Sequence, residues 1–209
     1  MNPLRRAERA APVPARNISS PDRSMHSSHE GLLPSPWVER WSQLVPEGAS
    51  VLDVACGAGR HVRWFAARGA LVTALDRDGA ALEALRGIAA ETIVADIENG
   101  PWPLAGRRFA AVLCTNYLWR PRLPDIVGAV AAGGVLLYET FAAGNASVGR
   151  PSNPQFLLRP GELLAAANGL RIVAYEDGFL DAPARFVQRI AAVREAAPPD
   201  PAVAPRYAL

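Results

Sequence analysis

Residues 51–59, VLDVACGAG, set a short, mostly apolar run directly before two glycines one residue apart, and this junction limits what the chain can become. A short apolar run ended by glycine reads as a strand buried on both faces. Gly57 and Gly59 lack a β-carbon, so the chain can bend tightly there and let a ligand lie against its backbone. The following HVRWFAARG (61–69) spaces Val62, Phe65 and Ala66 along one helical face and stops at Gly69. Strand, bend and helix in that order open a parallel α/β sheet, whose ligands bind beyond the carboxyl ends of the strands.

The alternation continues along the chain. LVTALD (71–76), ETIVAD (91–96), FAAVLCT (109–115) and VLLYETF (135–141) read as further strands. GAALEALRG (79–87) and LPDIVGAVAAGG (123–134) read as helices, the second closed by its paired glycines. Pro160 and Gly169 bracket GELLAAAN as proline-in, glycine-out helix punctuation. LRIVAYE (170–176) and RFVQRIAAV (185–193) read as an antiparallel pair at the sheet edge. The expected fold is α/β, a doubly wound and mostly parallel sheet with right-handed crossovers. PWVERWSQL, ahead of the first strand, reads as a covering helix with Trp37, Arg40 and Trp41 on one face.

The domain is expected over residues 31–195. Residues 1–30 carry arginine, proline and serine without apolar periodicity, which predicts a disordered extension. Met25 is an alternative natural start, and Glu8 and Asp22 weaken a transit-peptide reading of the same stretch. Residues 196–209 read as a flexible, proline-rich tail. The net charge of +2 gives no argument for a nucleic-acid partner, and all 22 basic residues are arginine, which fits coding bias better than selection at every position. Two cysteines make neither a disulfide framework nor a zinc site, so no metal is expected and a reducing, cytoplasmic setting is. No apolar run reaches the roughly eighteen residues of a membrane span, and no secretory signal is legible.

Three acids carry the chemistry. Asp53 lies in the first strand, Asp76 ends the second where a ribose diol would be held, and Asp96 ends the third beside the aliphatic Ile97. A dinucleotide site would need a small residue three after Gly59, and Val62 stands there. A P-loop would need a lysine, and the chain has none. A ligand with a carboxylate, a ribose and an adenine but no phosphate fits these residues, and S-adenosylmethionine is such a ligand.

VLDVACGAGRHVRWFA, followed by ALD, ADIE and GGVLLYETF, resembles the motif series of class I S-adenosylmethionine-dependent methyltransferases over residues 36 to 193. The compact build is similar to tellurite-resistance and thiopurine methyltransferase-like proteins. The resemblance implies seven strands in the order 3-2-1-4-5-7-6, the last antiparallel. It implies that Asp53, Gly57 and Gly59 surround the methionine moiety and that Asp76 binds the ribose. Asp96 and Ile97 would hold adenine, and Thr115 and Asn116 would flank the sulfonium.

The acceptor must sit opposite the sulfur, among residues following strands four and five. Asn116, Tyr117 and Glu139 are the candidates for a catalytic part, with Thr140 nearby. Trp37, Trp41, Tyr117, Trp119, Arg120, Arg150 and Arg159 are candidate substrate contacts. The segment 142–159 is long for a structureless connection and is expected to be a lid, with Asn153 beside its arginines. Tyr117-Leu118-Trp119 after Asn116 replaces the Asn-Pro-Pro-Tyr type of motif, which argues against base or glutamine amides as acceptors. Several plain readings compete: Glu139 as the buried partner of an arginine, His61 at the surface, Cys56 and Cys114 as small core side chains. The expected function is methyl transfer to a small molecule. The rivals are a cofactor-binding assembly module without turnover and an NAD(P)-dependent oxidoreductase.

Overall fold

The computed structural model describes residues 33–196 and 205–209. The expected N-terminal extension and Met25 lie outside the described residues, as do 197–204 of the tail. Seven strands form one sheet: β1 (Ser50–Val54), β2 (Leu71–Asp76), β3 (Glu91–Val94), β4 (Phe109–Thr115), β5 (Val130–Phe141), β6 (Arg171–Asp181) and β7 (Ala184–Val193). Their order is β3-β2-β1-β4-β5-β7-β6, with β7 antiparallel to both neighbours and the remaining pairs parallel. This is the order implied by the resemblance.

Strand residues alternate between faces, so the sheet has two apolar layers. Leu52, Val54, Val112, Leu136 and Tyr138 face one layer. It is covered by α4 (Leu123–Gly128), through Ile126, and by α5 (Glu162–Ala166), through Leu163. Val51, Val72, Ala74, Leu113 and Leu137 face the other. There α1 (Pro36–Trp41), α2 (Arg60–Ala66) and α3 (Gly79–Glu83) supply Trp37, Phe65 and Leu82. Ser35 starts α1 by accepting from the Trp37 N–H, with Pro36 at the first helical position. Tyr207, near the C-terminus, packs against this second layer, and Gln43 donates to the Ala208 carbonyl.

Several boundaries differ from the sequence reading: the helix expected over 79–87 ends at Glu83, and the strand expected over 170–176 runs on to Asp181. The helix expected over 123–134 ends at Gly128, and β5 already begins at Val130. The glycine pair belongs to the strand: Gly133 takes φ +77, and an added β-carbon on Gly134 would lie 2.9 Å from the carbonyl oxygens of both Phe109 and Ala110. The pairing of β4 with β5 shifts register between Phe109 and Ala111, so the glycines serve a bulge rather than a helix cap. The third strand ends at Val94, leaving Asp96 in the turn beyond it.

No helix among the described residues is long and apolar enough to cross a membrane. Gly134→Ala is expected to cost about 1–3 kcal/mol through backbone overlap, read as a lowered melting temperature. Gly128→Ala, with open space at its β-carbon, should instead be neutral or stabilising by up to about 1 kcal/mol. Equal melting temperatures for the two variants would contradict this account.

Candidate active site

The bend after β1 is held from β2. The Cys56 N–H donates to the Leu75 carbonyl, and the Gly57 N–H donates to Asp76 Oδ2 at 2.7 Å. Asp76 Oδ1 accepts from the Asp78 N–H at 2.9 Å, so one carboxylate organises both loops. Ala55, Gly57 and Gly59 all take left-handed backbone angles. Such a cluster including a residue with a β-carbon is strain of the kind found at ligand sites. Gly59 has a packing reason as well: an added β-carbon would fall 2.4 Å from the Leu85 side chain.

Three neighbouring cavities run across the carboxyl ends of the strands. The first, about 240 Å³, is lined by Asp76, Asp96, Ile97, Glu98, Asn116 and Tyr117 among others. The second is lined by Gly57, Ala58, Arg60, Thr115 and Asn116, with Ala55 shared with the first. The third, about 280 Å³, is lined by Glu98, Tyr117, Leu118, Thr140, Phe141, Pro151 and Phe156, again with Asn116. Asn116 therefore stands where all three meet. Its φ is +56, and its N–H donates to the Glu139 carbonyl at 2.8 Å, which pins this turn to the end of β5.

Asp96 faces the first cavity while capping its own turn. Its Oδ1 accepts from the Glu98 and Asn99 N–H groups, and its Oδ2 accepts from the Asn99 amide. These bonds hold its carboxyl below the usual range, the Asn99 amide first among them. Ile97 is buried and presents an aliphatic wall. Of the sequence-derived cofactor residues, Gly57, Asp76, Asp96, Ile97, Thr115 and Asn116 line the cavities, and Gly59 turns the bend beneath them.

Asp53 is placed differently. Only 1% exposed, it lies behind the bend, 4.0 Å from His61 Nδ1. His61 was expected at the surface, yet it is equally buried and accepts from the Ser35 N–H at 3.0 Å through Nε2. The close of the first helical turn against α1 encloses it. Glu139 is fully buried, accepting from the Ser35 hydroxyl at 2.9 Å, with Arg189 at 3.5 Å and Arg185 at 3.7 Å. This geometry matches the plain reading of Glu139 as an arginine's partner. One oxygen each of Asp53 and Glu139, and Nε of Arg185, have no hydrogen-bond partner.

Trp37 and Trp41 are core residues, not cavity walls. Both are buried, 5.7 Å apart, and the Trp37 indole donates to the Ile190 carbonyl. Arg40 points outward from their face, with its guanidinium 5.0 Å from the Trp41 ring centroid. Arg120 spends its fork on Glu162 and on the Gln155 and Leu157 carbonyls, which anchors segment 142–159 rather than leaving donors for a substrate. That segment is structured: 3-10 turns span Asn145–Ser147 and Pro154–Phe156, and buried Asn145 bonds Pro151 and Phe186. Arg150 and Arg159 are exposed, Arg159 lying 3.7 Å from Glu162, and Trp119 precedes the turn at Arg120–Arg122. Cys56 and Cys114 are free, buried thiols. Among the described residues, no three His, Cys, Asp or Glu side chains gather as metal ligands.

Sequence reasoning passed over Ala55, Arg60 and Glu98, which line these cavities. Arg60 follows the bend directly, and Glu98 follows Ile97 directly, so proximity to the motifs was the signal for both.

Burial pushes the Asp53 carboxyl up to about 7, Arg60 pulling it down and Asp76 adding to the rise. A folded-state value above the unfolded one means that ionisation opposes folding. Stability from this group is full below about pH 4 and is lost as pH rises through 7. His61 runs oppositely, since burial and Arg60 push it down to about 3, so its contribution is lost as pH falls from 6.5. The unfolding free energy of Asp53→Asn minus that of the parent should therefore rise between pH 4 and 7 and level off above. A difference independent of pH in urea titrations would refute the assignment.

Comparison with known proteins places this geometry. A family model described as a methyltransferase domain matches residues 51–133. Malonyl-[acyl-carrier protein] O-methyltransferase of Salmonella typhimurium is 36% identical over 104 residues, 46% of this chain and 41% of that protein. The chain thus spans about two fifths of the length of this relative. Among solved structures, TehB from Haemophilus influenzae superposes with a TM-score of 0.60 at 20% identity, covering 76% of this chain and 61% of that one. A TehB-like S-adenosylmethionine-dependent methyltransferase from Corynebacterium glutamicum gives 0.57 at 18% identity, with coverages of 76% and 87%. The matched segment, residues 51–133, is thus similar to a methyltransferase domain, and the strand order β3-β2-β1-β4-β5-β7-β6 is the one that the motif resemblance implies.

Proposed function

We propose that the chain transfers a methyl group from S-adenosylmethionine to a small-molecule acceptor. The observation that carries this reading is the row of three cavities meeting at Asn116, the first of them lined by Asp76, Asp96 and Ile97. Asp76 suits a ribose diol, because it lines the first cavity and each of its oxygens, accepting one backbone N–H, keeps a further lone pair. Ile97 offers a face for adenine, and Asp96 an acceptor for an exocyclic amine. Gly57, Ala58, Arg60 and Thr115 would take the methionine end, with Arg60 the cation for its carboxylate.

When bound, the cofactor supplies a methyl group on a cationic sulfur. The chain supplies placement. Asn116, fixed by the Glu139 carbonyl, separates the cofactor cavities from the third one, where an acceptor is held in line. Segment 142–159 forms the wall of that third cavity through Pro151 and Phe156 and shields it from water. Val62, buried in the second core layer, occupies the position that a pyrophosphate-binding helix keeps small, which disfavours the oxidoreductase reading.

A second reading takes its acceptor from the Salmonella relative, whose name specifies a carrier-bound malonyl group. Arg60, a cation lining the second cavity, is the observation in its favour.

Calorimetry with S-adenosylmethionine, its demethylated product, NADH and NADPH tests the reading. Binding of the first two alone is expected, with Asp76→Ala weakening both by about ten- to a hundredfold as charged hydrogen bonds are lost. Transfer of labelled methyl to an acceptor panel then separates an enzyme from a binding module. No heat from either adenosyl compound on folded protein overturns the proposal.

A further inference from the structure

The third cavity has mainly apolar walls: Leu118, Phe141, Pro151 and Phe156, with Phe156 substantially exposed. Its one ionisable carboxylate is Glu98, which also lines the adenosyl cavity and so sits at the boundary between them. The Tyr117 hydroxyl is buried with no hydrogen-bond partner. Burial raises the Tyr117 phenol well above its ordinary value, with the negative charge of Glu98 the next cause, and both residues line the first and third cavities.

No arginine offsets Glu98 within the cavity. Arg122 is bound to the Ile97 and Gly100 carbonyls and to Asp125. Arg120 is bound to Glu162 and two carbonyls of the wall segment. Arg77 lines the adenosyl cavity only, and Arg150, beside Pro151, is exposed. Arg185 and Arg189 are drawn to the buried Glu139, and neither lines the third cavity. Among the described residues, Glu98 is therefore the one charged residue lining the third cavity, while Arg60 lines the second.

From this we infer that the acceptor is an amine on an apolar body, held in the third cavity, with Glu98 as the residue that selects it. This rests on the methyl-transfer reading and names its substrate class. The neutral amine, its proton already given to water, forms the N–C bond with its lone pair. The S–C bond breaks with its pair returning to sulfur, and the positive charge passes from sulfur to nitrogen. A carboxylate beside that nitrogen stabilises the charge as it arrives there. For a carboxylate acceptor the same Glu98 is a like charge that opposes binding, so the malonyl-type acceptor is disfavoured.

The test compares three probes of one shape, phenethylamine, phenethyl alcohol and hydrocinnamate, titrated onto the full chain saturated with the demethylated cofactor product. The amine should bind about tenfold or more tighter than the carboxylate, the scale of one charged hydrogen bond. Glu98→Gln should reduce that preference to about threefold or less while the alcohol's affinity holds. Phe156→Ala should weaken all three probes by a similar factor and keep the charge preference, which separates the apolar wall from Glu98. A carboxylate that binds as well as the amine overturns the inference, as does a preference that survives Glu98→Gln or an absence of binding by every probe up to roughly 10 mM. In each of those outcomes the methyl-transfer reading stands, because the adenosyl product has bound. If that product fails to bind, it is the reading itself that falls.

Discussion

The carboxylate of Asp76 accepting the Gly57 N–H is the interaction on which the ligand face depends. A parallel sheet delivers β1 and β2 side by side, but nothing in the strands themselves fixes the loop after β1. That loop crosses three residues in left-handed conformation, Ala55, Gly57 and Gly59, and such backbone persists only when its surroundings over-determine it. Here the surroundings are the Leu75 carbonyl and the Asp76 side chain, both from the neighbouring strand end. The same carboxylate then carries the loop into α3 through the Asp78 N–H. Asp76, which lines the first cavity, is thus already oriented by the backbone on both of its oxygens.

The architecture was legible in the sequence because each element carried its own signal. Apolar runs of strand length alternated with helical spacing, and the strand ends were marked by acids or glycines. What escaped was set by contacts distant in sequence. The 130–134 stretch has helix-compatible alanines, and only the carbonyls of Phe109 and Ala110 reveal why Gly134 belongs to a strand bulge. Trp37 and Trp41 follow helical spacing equally well as a lid or as core, and the sheet face they cover decides for core. His61 has no sequence signal for burial, since its partner Ser35 lies 26 residues away.

The site divides in the same way. Asp76, Asp96 and Ile97 sit next to strand ends that the pattern marks, and they line the first cavity. Asp53 belongs to the same motif but lies behind it, where burial rather than a ligand governs its carboxyl. It lies against His61, while Glu139 gathers Ser35, Arg185 and Arg189, and one oxygen of each of these buried carboxylates lacks a partner. Such clusters are rarely the most stable filling of a core. Their worth here is positional, since Ser35 alone joins the first helix to both β5 and the histidine of α2.

That junction couples parts of the chain far apart in sequence. Ser35, at the start of α1, holds Glu139 of β5 through its hydroxyl and His61 of α2 through its N–H. The Glu139 carbonyl in turn pins Asn116, so a displacement of α1 reaches both the helix after the bend and the residue at which the three cavities meet.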